Sequence, residues 1–138
     1  MQSQRISINA KDGGQFGAYL SLPPTGKGPG ILLIQEIFGV NQHIREVADQ
    51  YASDGFVVLA PDVFWRQEAG VDIGYDDAGF KKGFGLMQGM DFPKAVEDLC
   101  AAANALKARP EVIGKVASLG FCMGDRVGRN KTQAQPSP

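Results

Sequence analysis

The sequence lacks the features that mark several large classes of protein. It has one histidine and two cysteines, and the cysteines have neither metal-ligand spacing nor a disulfide framework. The net charge of −1 gives no basic surface for nucleic acid or anionic lipid. No run approaches the roughly 20 apolar residues of a transmembrane helix, and residues 1–4 begin no signal peptide. We therefore expect a cytoplasmic protein with reduced thiols and with neither metal nor cofactor.

The composition is typical of a single globular domain. Hydrophobic residues make up 43% of the chain and charged residues 21%. A chain of 138 residues suits one domain and could bury roughly two thirds of its unfolded surface. The sequence therefore predicts a folded core, and its motifs can be placed on strands, helices and loops.

The first third of the chain predicts a hairpin followed by a buried strand. Residues 5–9 alternate polar and apolar side chains, residues 11–14 have turn chemistry, and residues 16–22 read as a second strand. A loop rich in proline and glycine follows. Residues 31–34 form a continuous apolar run that is too short for a helix, which favours a fully buried parallel strand.

A parallel crossover is predicted next. An amphipathic helix over residues 41–53 has Asn41 as its N-cap and ends at Gly55, and a buried strand over residues 56–60 is closed by Pro61. Strand, helix and strand in this order form a right-handed crossover, the repeating unit of an α/β sheet covered on both faces. We expect a three-layer α/β/α fold with a mostly parallel sheet and an N-terminal antiparallel hairpin.

The pattern weakens between residues 62 and 90, where six glycines interrupt a long loop with one weak helix over residues 77–88. A further helix is predicted to start at Pro93 with Asp91 as its cap. Pro110 and Gly114 are expected to end it. Its predicted apolar face consists of Ala95, Val96, Leu99, Cys100, Ala103 and Leu106.

Residues 115–124 carry the most informative motif. An apolar run ends in Gly120, Cys122 and Gly124 at alternate positions, which is similar to the sharp nucleophile turn of α/β-hydrolases. Such a turn lifts the thiol above the carboxyl ends of the strands. It also aims the N–H of Met123 at a developing oxyanion. A glycine-rich turn with an inert buried cysteine is the alternative interpretation.

Residues 125–138 contain scarcely any hydrophobic side chain and end in Pro-Ser-Pro. Such a segment buries too little surface to offset its ordering entropy. We expect a polar, disordered tail after the folded part.

Four segments together resemble the dienelactone hydrolase family, the carboxymethylenebutenolidase-like branch of the α/β-hydrolases. They are residues 35–39, residues 44–56, residues 60–62 and residues 120–124. The resemblance implies hydrolysis of a small ester or lactone through a cysteine nucleophile. Family members continue beyond this chain and supply a later aspartate and histidine, so residues 1–124 are expected to form the N-terminal part of the domain and the triad to be incomplete.

The resemblance also implies roles for individual residues. Cys122 matches the nucleophile, and Glu36 matches a carboxylate that contacts the resting thiol and helps to form the thiolate. The N–H groups of Ile37 and Met123 would form the oxyanion hole, and Phe38 would line the pocket. A solvated loop carboxylate is the alternative for Glu36.

Four other residues could have a purely structural role instead of a functional one. Lys82 falls closest to the place where the family often has an arginine for a substrate carboxylate, and a solvated lysine is the alternative. Trp65 either walls the pocket or packs on the core. His43 does not match the late histidine of the family and is interpreted as a helix-surface residue. Cys100 is expected to lie in the core.

Two functions remain open on the sequence. The first is a dienelactone hydrolase-like enzyme that lacks part of its triad in this chain. The second is a non-catalytic short form that binds a small carboxylate, or that pairs with another chain through the exposed edge of the strand before Cys122.

Overall fold

The computed structural model describes residues 2–120. Its elements in chain order are β1 (Gln2–Asn9), β2 (Gln15–Leu22), β3 (Gly28–Ile34), α1 (Gln42–Ser53), β4 (Val57–Pro61), α2 (Asp77–Gln88), α3 (Phe92–Lys107) and β5 (Val112–Gly120). The predicted elements are all present, and the helix over residues 77–88 has the predicted bounds. Residues 125–138, the predicted polar tail, lie outside the described residues.

The five strands form one mixed sheet in the order β1-β2-β4-β3-β5. The hairpin strand β2 pairs antiparallel with both β1 and β4. Strand β3 pairs parallel with β4 on one side and with β5 on the other. Because β3, β4 and β5 run in one direction, their carboxyl ends meet at the same edge of the sheet. Within the described part of the chain, β5 is the last strand on its side.

Helices cover both faces of the sheet because the central strands are apolar on both sides. On β3, Ile31 and Leu33 face the layer that contains α1, while Leu32 and Ile34 face the layer that contains α3. Helix α1 buries Ile44, Ala48 and Ala52. Helix α3 buries a longer stripe, which comprises Ala95, Asp98, Leu99, Ala102, Ala103 and Leu106. The chain therefore folds into the predicted three layers.

Side-chain caps define the start of each helix. Asn41 Oδ1 accepts a hydrogen bond from the N–H of Ile44 at 3.1 Å, and Asp91 Oδ1 accepts one from the N–H of Lys94 at 3.2 Å. Both caps were predicted from the sequence. Helix α2 has a third cap, in which Asp76 accepts from the N–H of Gly79 at 2.7 Å. These caps satisfy N–H groups that have no partner within the helix.

Two details differ from the sequence prediction. Helix α3 ends at Lys107, and Gly114 does not stop it but lies inside β5 with a φ of +81°. Gly28 pairs with Val112 and Gly30 with Val116, so β5 bulges between these pairs and needs a residue that tolerates a positive φ. Cys100 is half-buried on α3 rather than fully in the core.

Candidate active site at the carboxyl ends of β3 and β5

The register between β3 and β5 sets the position of the candidate site. Ile34, the last residue of β3, pairs with Gly120, the last residue of β5. Glu36 and Cys122 each follow this pair by two residues. Neighbouring strands lie about 4.8 Å apart, so Ile34 and Gly120 lie side by side at the carboxyl edge of the sheet. Cys122 and Met123 themselves lie outside the described residues.

Residues 36–39 form a tight turn directly after β3. The N–H of Gly39 donates to the carbonyl oxygen of Glu36 at 3.3 Å, which closes the turn. Gly39 has a φ of +83°, and a Cβ there would collide with the carbonyl oxygen of Val71. Within the described residues, the N–H of Ile37 donates no hydrogen bond. Among residues 2–120, this donor is therefore unpaired at the carboxyl edge of the sheet.

The Gln35 side chain binds the turn through a hydrogen bond from inside the protein. Its side chain is fully buried, and its Oε1 accepts from the N–H of Val63 at 3.0 Å. Its Nε2 donates to the carbonyl oxygen of Glu36 at 3.1 Å. A buried amide needs partners for both ends, and here those partners are the turns that follow β3 and β4. Gln35 therefore holds the two carboxyl-end turns together.

A second segment, residues 71–75, lies along the turn. The N–H of Ile73 donates to the carbonyl oxygen of Phe38 at 3.0 Å, and Asn41 Nδ2 donates to the carbonyl oxygen of Ile73 at 3.3 Å. Arg45 Nη1 joins the carbonyl oxygen of Val40 at 2.7 Å to Asp72 Oδ2 at 3.0 Å. The loop between β4 and α2 is thus fixed against the candidate site.

Tyr75, at the end of this segment, contacts the candidate residues directly. Its hydroxyl donates to Glu36 Oε1 at 3.3 Å. Its ring meets the Phe38 ring edge-to-face with 4.5 Å between centroids. It also meets the His43 ring edge-to-face, with 6.2 Å between centroids. Burial raises the pKa of Tyr75, and the Glu36 carboxylate raises it further, so the phenol keeps its proton near neutral pH. Sequence reasoning did not identify Tyr75, because the glycine-rich loop around it gives no periodic signal.

The other predicted residues lie in different surroundings. Lys82 Nζ pairs with Glu68 Oε2 at 3.0 Å, and both side chains are half-exposed. Trp65 packs on the core, stacked on Phe16 with 5.4 Å between ring centroids. His43 is exposed on the first turn of α1, as predicted.

Asp62 shapes the loop that follows β4. It is 8% exposed, and its carboxylate accepts from the N–H groups of Phe64 at 3.1 Å and Gly70 at 2.8 Å. Burial raises the pKa of Asp62, while the two backbone donors oppose the shift. The residue therefore holds the loop in place.

Two absences apply to residues 2–120. No group of three or more histidine, cysteine, aspartate or glutamate side chains there could hold a metal ion. No helix in that range is long and apolar enough to cross a bilayer.

Helix α2 packs closely on the turn through Gly83 and on residues 71–75 through Gly79. A Cβ on Gly83 would collide with the carbonyl oxygen of Ile37, and one on Gly79 with that of Gly74. These glycines, which interrupt the helix pattern in the sequence, therefore allow α2 to approach the backbone closely. Gly85, on the same helix, has open space where its Cβ would be.

This packing predicts opposite effects for two identical substitutions. Gly85→Ala is expected to stabilise the protein by up to about 1 kcal/mol, because alanine is the better helix former. Gly83→Ala gains the same propensity but is expected to be about 1–3 kcal/mol less stable than Gly85→Ala, because its methyl group overpacks against Ile37. Urea denaturation of both variants measures the difference. Equal stabilities would contradict the close packing.

Comparison with known proteins connects this arrangement to a family. The sequence profile of the dienelactone hydrolase family matches residues 16–134. The carboxymethylenebutenolidase of Pseudomonas sp. (strain P51) is 39% identical over 125 residues, which cover 90% of this chain and 52% of that protein. A putative carboxymethylenebutenolidase of Azospirillum brasilense is 47% identical over 91 residues, which cover 64% of this chain and 39% of that protein.

A solved structure gives the same result for the fold. The crystal structure of a putative dienelactone hydrolase from Klebsiella pneumoniae superposes with a TM-score of 0.72 at 26% identity, covering 92% of this chain and 53% of that one. The α/β-hydrolase architecture predicted from the sequence is thereby confirmed. The chain spans about half the length of the first two curated relatives, 52% and 53% respectively. With the family profile matched over most of its length, the chain belongs to the dienelactone hydrolase family, a family of hydrolytic enzymes.

Proposed function

We propose that this chain carries the nucleophile and base of a hydrolase for small esters or lactones, with Cys122 as nucleophile and Glu36 as its base. The observation that carries the proposal is the pairing of Ile34 with Gly120. It supports a position for Cys122 beside Glu36, because both residues follow that pair by the same number of positions.

The proposed chemistry begins with a proton transfer. The Cys122 thiol gives its proton to the Glu36 carboxylate, and the thiolate attacks the carbonyl carbon of the substrate. The ester C–O bond breaks, the leaving oxygen takes the proton from Glu36, which returns to the carboxylate, and the acyl group stays on sulfur as a thioester. Water then attacks the thioester, which releases the acid and restores the thiol.

Backbone N–H groups would stabilise the charge that develops on the carbonyl oxygen. The Ile37 N–H at the turn after β3 and the Met123 N–H after Cys122 are the proposed donors. Phe38 would line the pocket beside them. Lys82 would bind a substrate carboxylate only after leaving Glu68, with which it pairs at 3.0 Å.

Efficient turnover would require two further groups. The family resemblance implies an aspartate and a histidine, and no residue of this chain matches either position. We therefore expect the 138-residue chain to form a reactive thiolate but to hydrolyse p-nitrophenyl acetate poorly. Rapid turnover that is abolished by Cys122→Ala would contradict the need for the missing histidine.

The reactivity of Cys122 tests the role of Glu36. The alkylation rate of Cys122 by iodoacetamide, followed across pH 5–10 by peptide mass spectrometry, reports its thiolate fraction separately from that of Cys100. We expect Glu36→Gln to slow alkylation at neutral pH about tenfold and to move the midpoint toward about 8.5, the pKa of a free thiol.

Glu46→Gln is the matched control, because Glu46 is exposed on α1 and binds only Gln42 among the described residues. It should leave the alkylation profile unchanged. The proposal fails if Glu36→Gln and Glu46→Gln have the same profile as the unaltered chain.

The position of β5 supports a second candidate, self-association through the sheet edge. In the part of the chain that the structure describes, β5 pairs only with β3 and ends the sheet. Exposed edges of this kind favour pairing with another chain. Light scattering that finds a defined dimer with a single cooperative melt would favour this function, and a monomer at all concentrations would exclude it.

A further inference from the structure

A cavity of about 280 Å³ lies on the α1 face of the sheet, between the hairpin and residues 69–72 of the loop after β4. Arg5, Gly17 and Asp62 line it, and none of the described residues proposed for catalysis does. We propose that this cavity binds a small zwitterion, whose carboxylate pairs with Arg5 and whose ammonium group pairs with Asp62. The inference is independent of the proposed function, because every residue it uses precedes residue 73.

The strand register places Arg5 and Asp62 on the same face of the sheet, two strands apart. Arg5 on β1 pairs with Tyr19 on β2, and Tyr19 pairs with Ala60 on β4. The N–H of Asp62 donates to the carbonyl oxygen of Gly17 at 3.0 Å, so the pairing of β2 with this part of the chain continues to Asp62. Paired residues share a face, and so do alternate residues of one strand. The backbones that carry the two charges are therefore roughly 10 Å apart across the sheet.

Gly17 keeps the surface between the two charged residues open. A Cβ at this position would meet no atom within 4 Å. The side chains beside it are small or apolar, since Ala60, Val40 and Val71 also line the cavity. The volume lies just below the roughly 300–1,000 Å³ of pockets for drug-sized ligands. The space therefore suits a short alkyl chain that joins two charged ends.

The charges around the cavity leave one group of each sign for a ligand. The Arg5 side chain is exposed and makes no hydrogen bond or ion pair within residues 2–120. Asp62 is 8% exposed, and each of its oxygens accepts one backbone N–H, which leaves lone pairs for a further donor. Asp72 also lines the cavity but pairs with Arg45 at 3.0 Å. Arg5 would repel a simple cation and Asp62 a simple anion, so a ligand with both charges is the most complementary.

The ligand is tested with three compounds that share one alkyl chain: δ-aminovalerate, valerate and pentylamine. Titration of the nitrogen-15-labelled 138-residue chain, followed by NMR through the N–H signals of Gly17 and Gly70, gives their dissociation constants. We expect δ-aminovalerate to bind about tenfold more tightly than either of the others, because each of those lacks one charged group for Arg5 or Asp62.

Two variants test whether binding occurs in the cavity. Arg5→Gln removes the guanidinium, and Gly17→Val fills the open surface with a side chain that strands favour. Each should weaken the binding of δ-aminovalerate about tenfold. Lys11→Gln is the matched control, because it removes one positive charge from an exposed residue of the turn after β1 and should leave binding unchanged. Thermal melting checks that each variant is folded, and Arg5→Gln is sufficient if Gly17→Val does not fold.

Three results would overturn the inference. If valerate or pentylamine binds as tightly as δ-aminovalerate, the cavity does not recognise both charges. If a folded Arg5→Gln or Gly17→Val variant binds δ-aminovalerate as tightly as the unaltered chain, the compound binds elsewhere. If none of the three compounds shifts the signals of Gly17 and Gly70, the cavity is not a site for such ligands.

Discussion

Asp98→Ala is expected to lower the free energy of unfolding by about 3 kcal/mol, measured by urea denaturation at pH 7. Asp98 is 1% exposed on α3 and accepts three hydrogen bonds of 2.9 Å. Two come from the guanidinium of Arg66 and one from the indole N–H of Trp65. Alanine would leave these three donors without an acceptor. Because the Asp98 side chain is buried, water cannot fully replace its carboxylate.

The cost should be large because Asp98 joins separate parts of the fold. Arg66 lies over the Trp65 ring at 4.5 Å and also grips Asp12, in the turn between β1 and β2, at 2.8 and 3.0 Å. Loss of Asp98 therefore loosens the contact of α3 with both the hairpin and the loop after β4. Arg66 keeps Asp12 as a partner, so we place the effect at the lower end of the range for broken buried pairs.

Glu97→Ala is the control, because it removes a carboxylate from the adjacent position of the same helix. Glu97 is 40% exposed and its ion pair with Lys94 is long, at 3.9 Å. Its loss should cost less than about 0.5 kcal/mol. Equal costs for the two variants would show that burial of Asp98 contributes nothing.

The same cluster predicts a dependence of stability on pH. Hydrogen bonding from Arg66 holds the pKa of Asp12 well below its usual range. A carboxyl whose pKa is lower in the folded state contributes stability above its unfolded pKa of about 4, and loses it as the pH falls toward the folded value. Asp12→Asn should therefore reduce the loss of stability on acidification below about pH 4.

The sequence predicted the elements whose signals are local. The Asn41 and Asp91 caps each satisfy N–H groups three residues away, and α2 has the predicted bounds because Asp76 and Gly89 flank it. By contrast, the apolar run after residue 30 indicated a strand but could not reveal its neighbours. The order β1-β2-β4-β3-β5 depends on how the strands pair in space.

In the candidate site, too, residues with a local sequence signal could be predicted, and residues brought together only by packing could not. Glu36 was predicted because it follows a buried strand and lies in a segment that resembles the family. Tyr75 was missed because its partner is distant in the chain, and only packing of the loop on the turn brings them together. Gly83 was interpreted as a helix interruption, whereas it packs on Ile37. Close approach of two backbones has no signature in a single sequence.

Gly39→Ala is expected to destabilise the protein by about 2–4 kcal/mol and to impair the candidate site as well. Alanine at a φ of +83° is strained, and its methyl group would collide with the backbone of Val71. Relief of the collision moves the turn away from residues 71–75 and so displaces Glu36, the proposed base. The alkylation rate of Cys122 at neutral pH should fall together with stability.

Gly26→Ala separates strain from collision. Gly26 has nearly the same φ, +80°, but open space around the position of a Cβ. The free energy of unfolding of Gly26→Ala should therefore fall only by the cost of the backbone conformation, about 1 kcal/mol. The alkylation rate of Cys122 should not change. The difference between the two variants in urea denaturation measures how tightly the loop holds the turn. If Gly39→Ala costs no more than Gly26→Ala and the alkylation rates agree, the loop does not hold the turn in place.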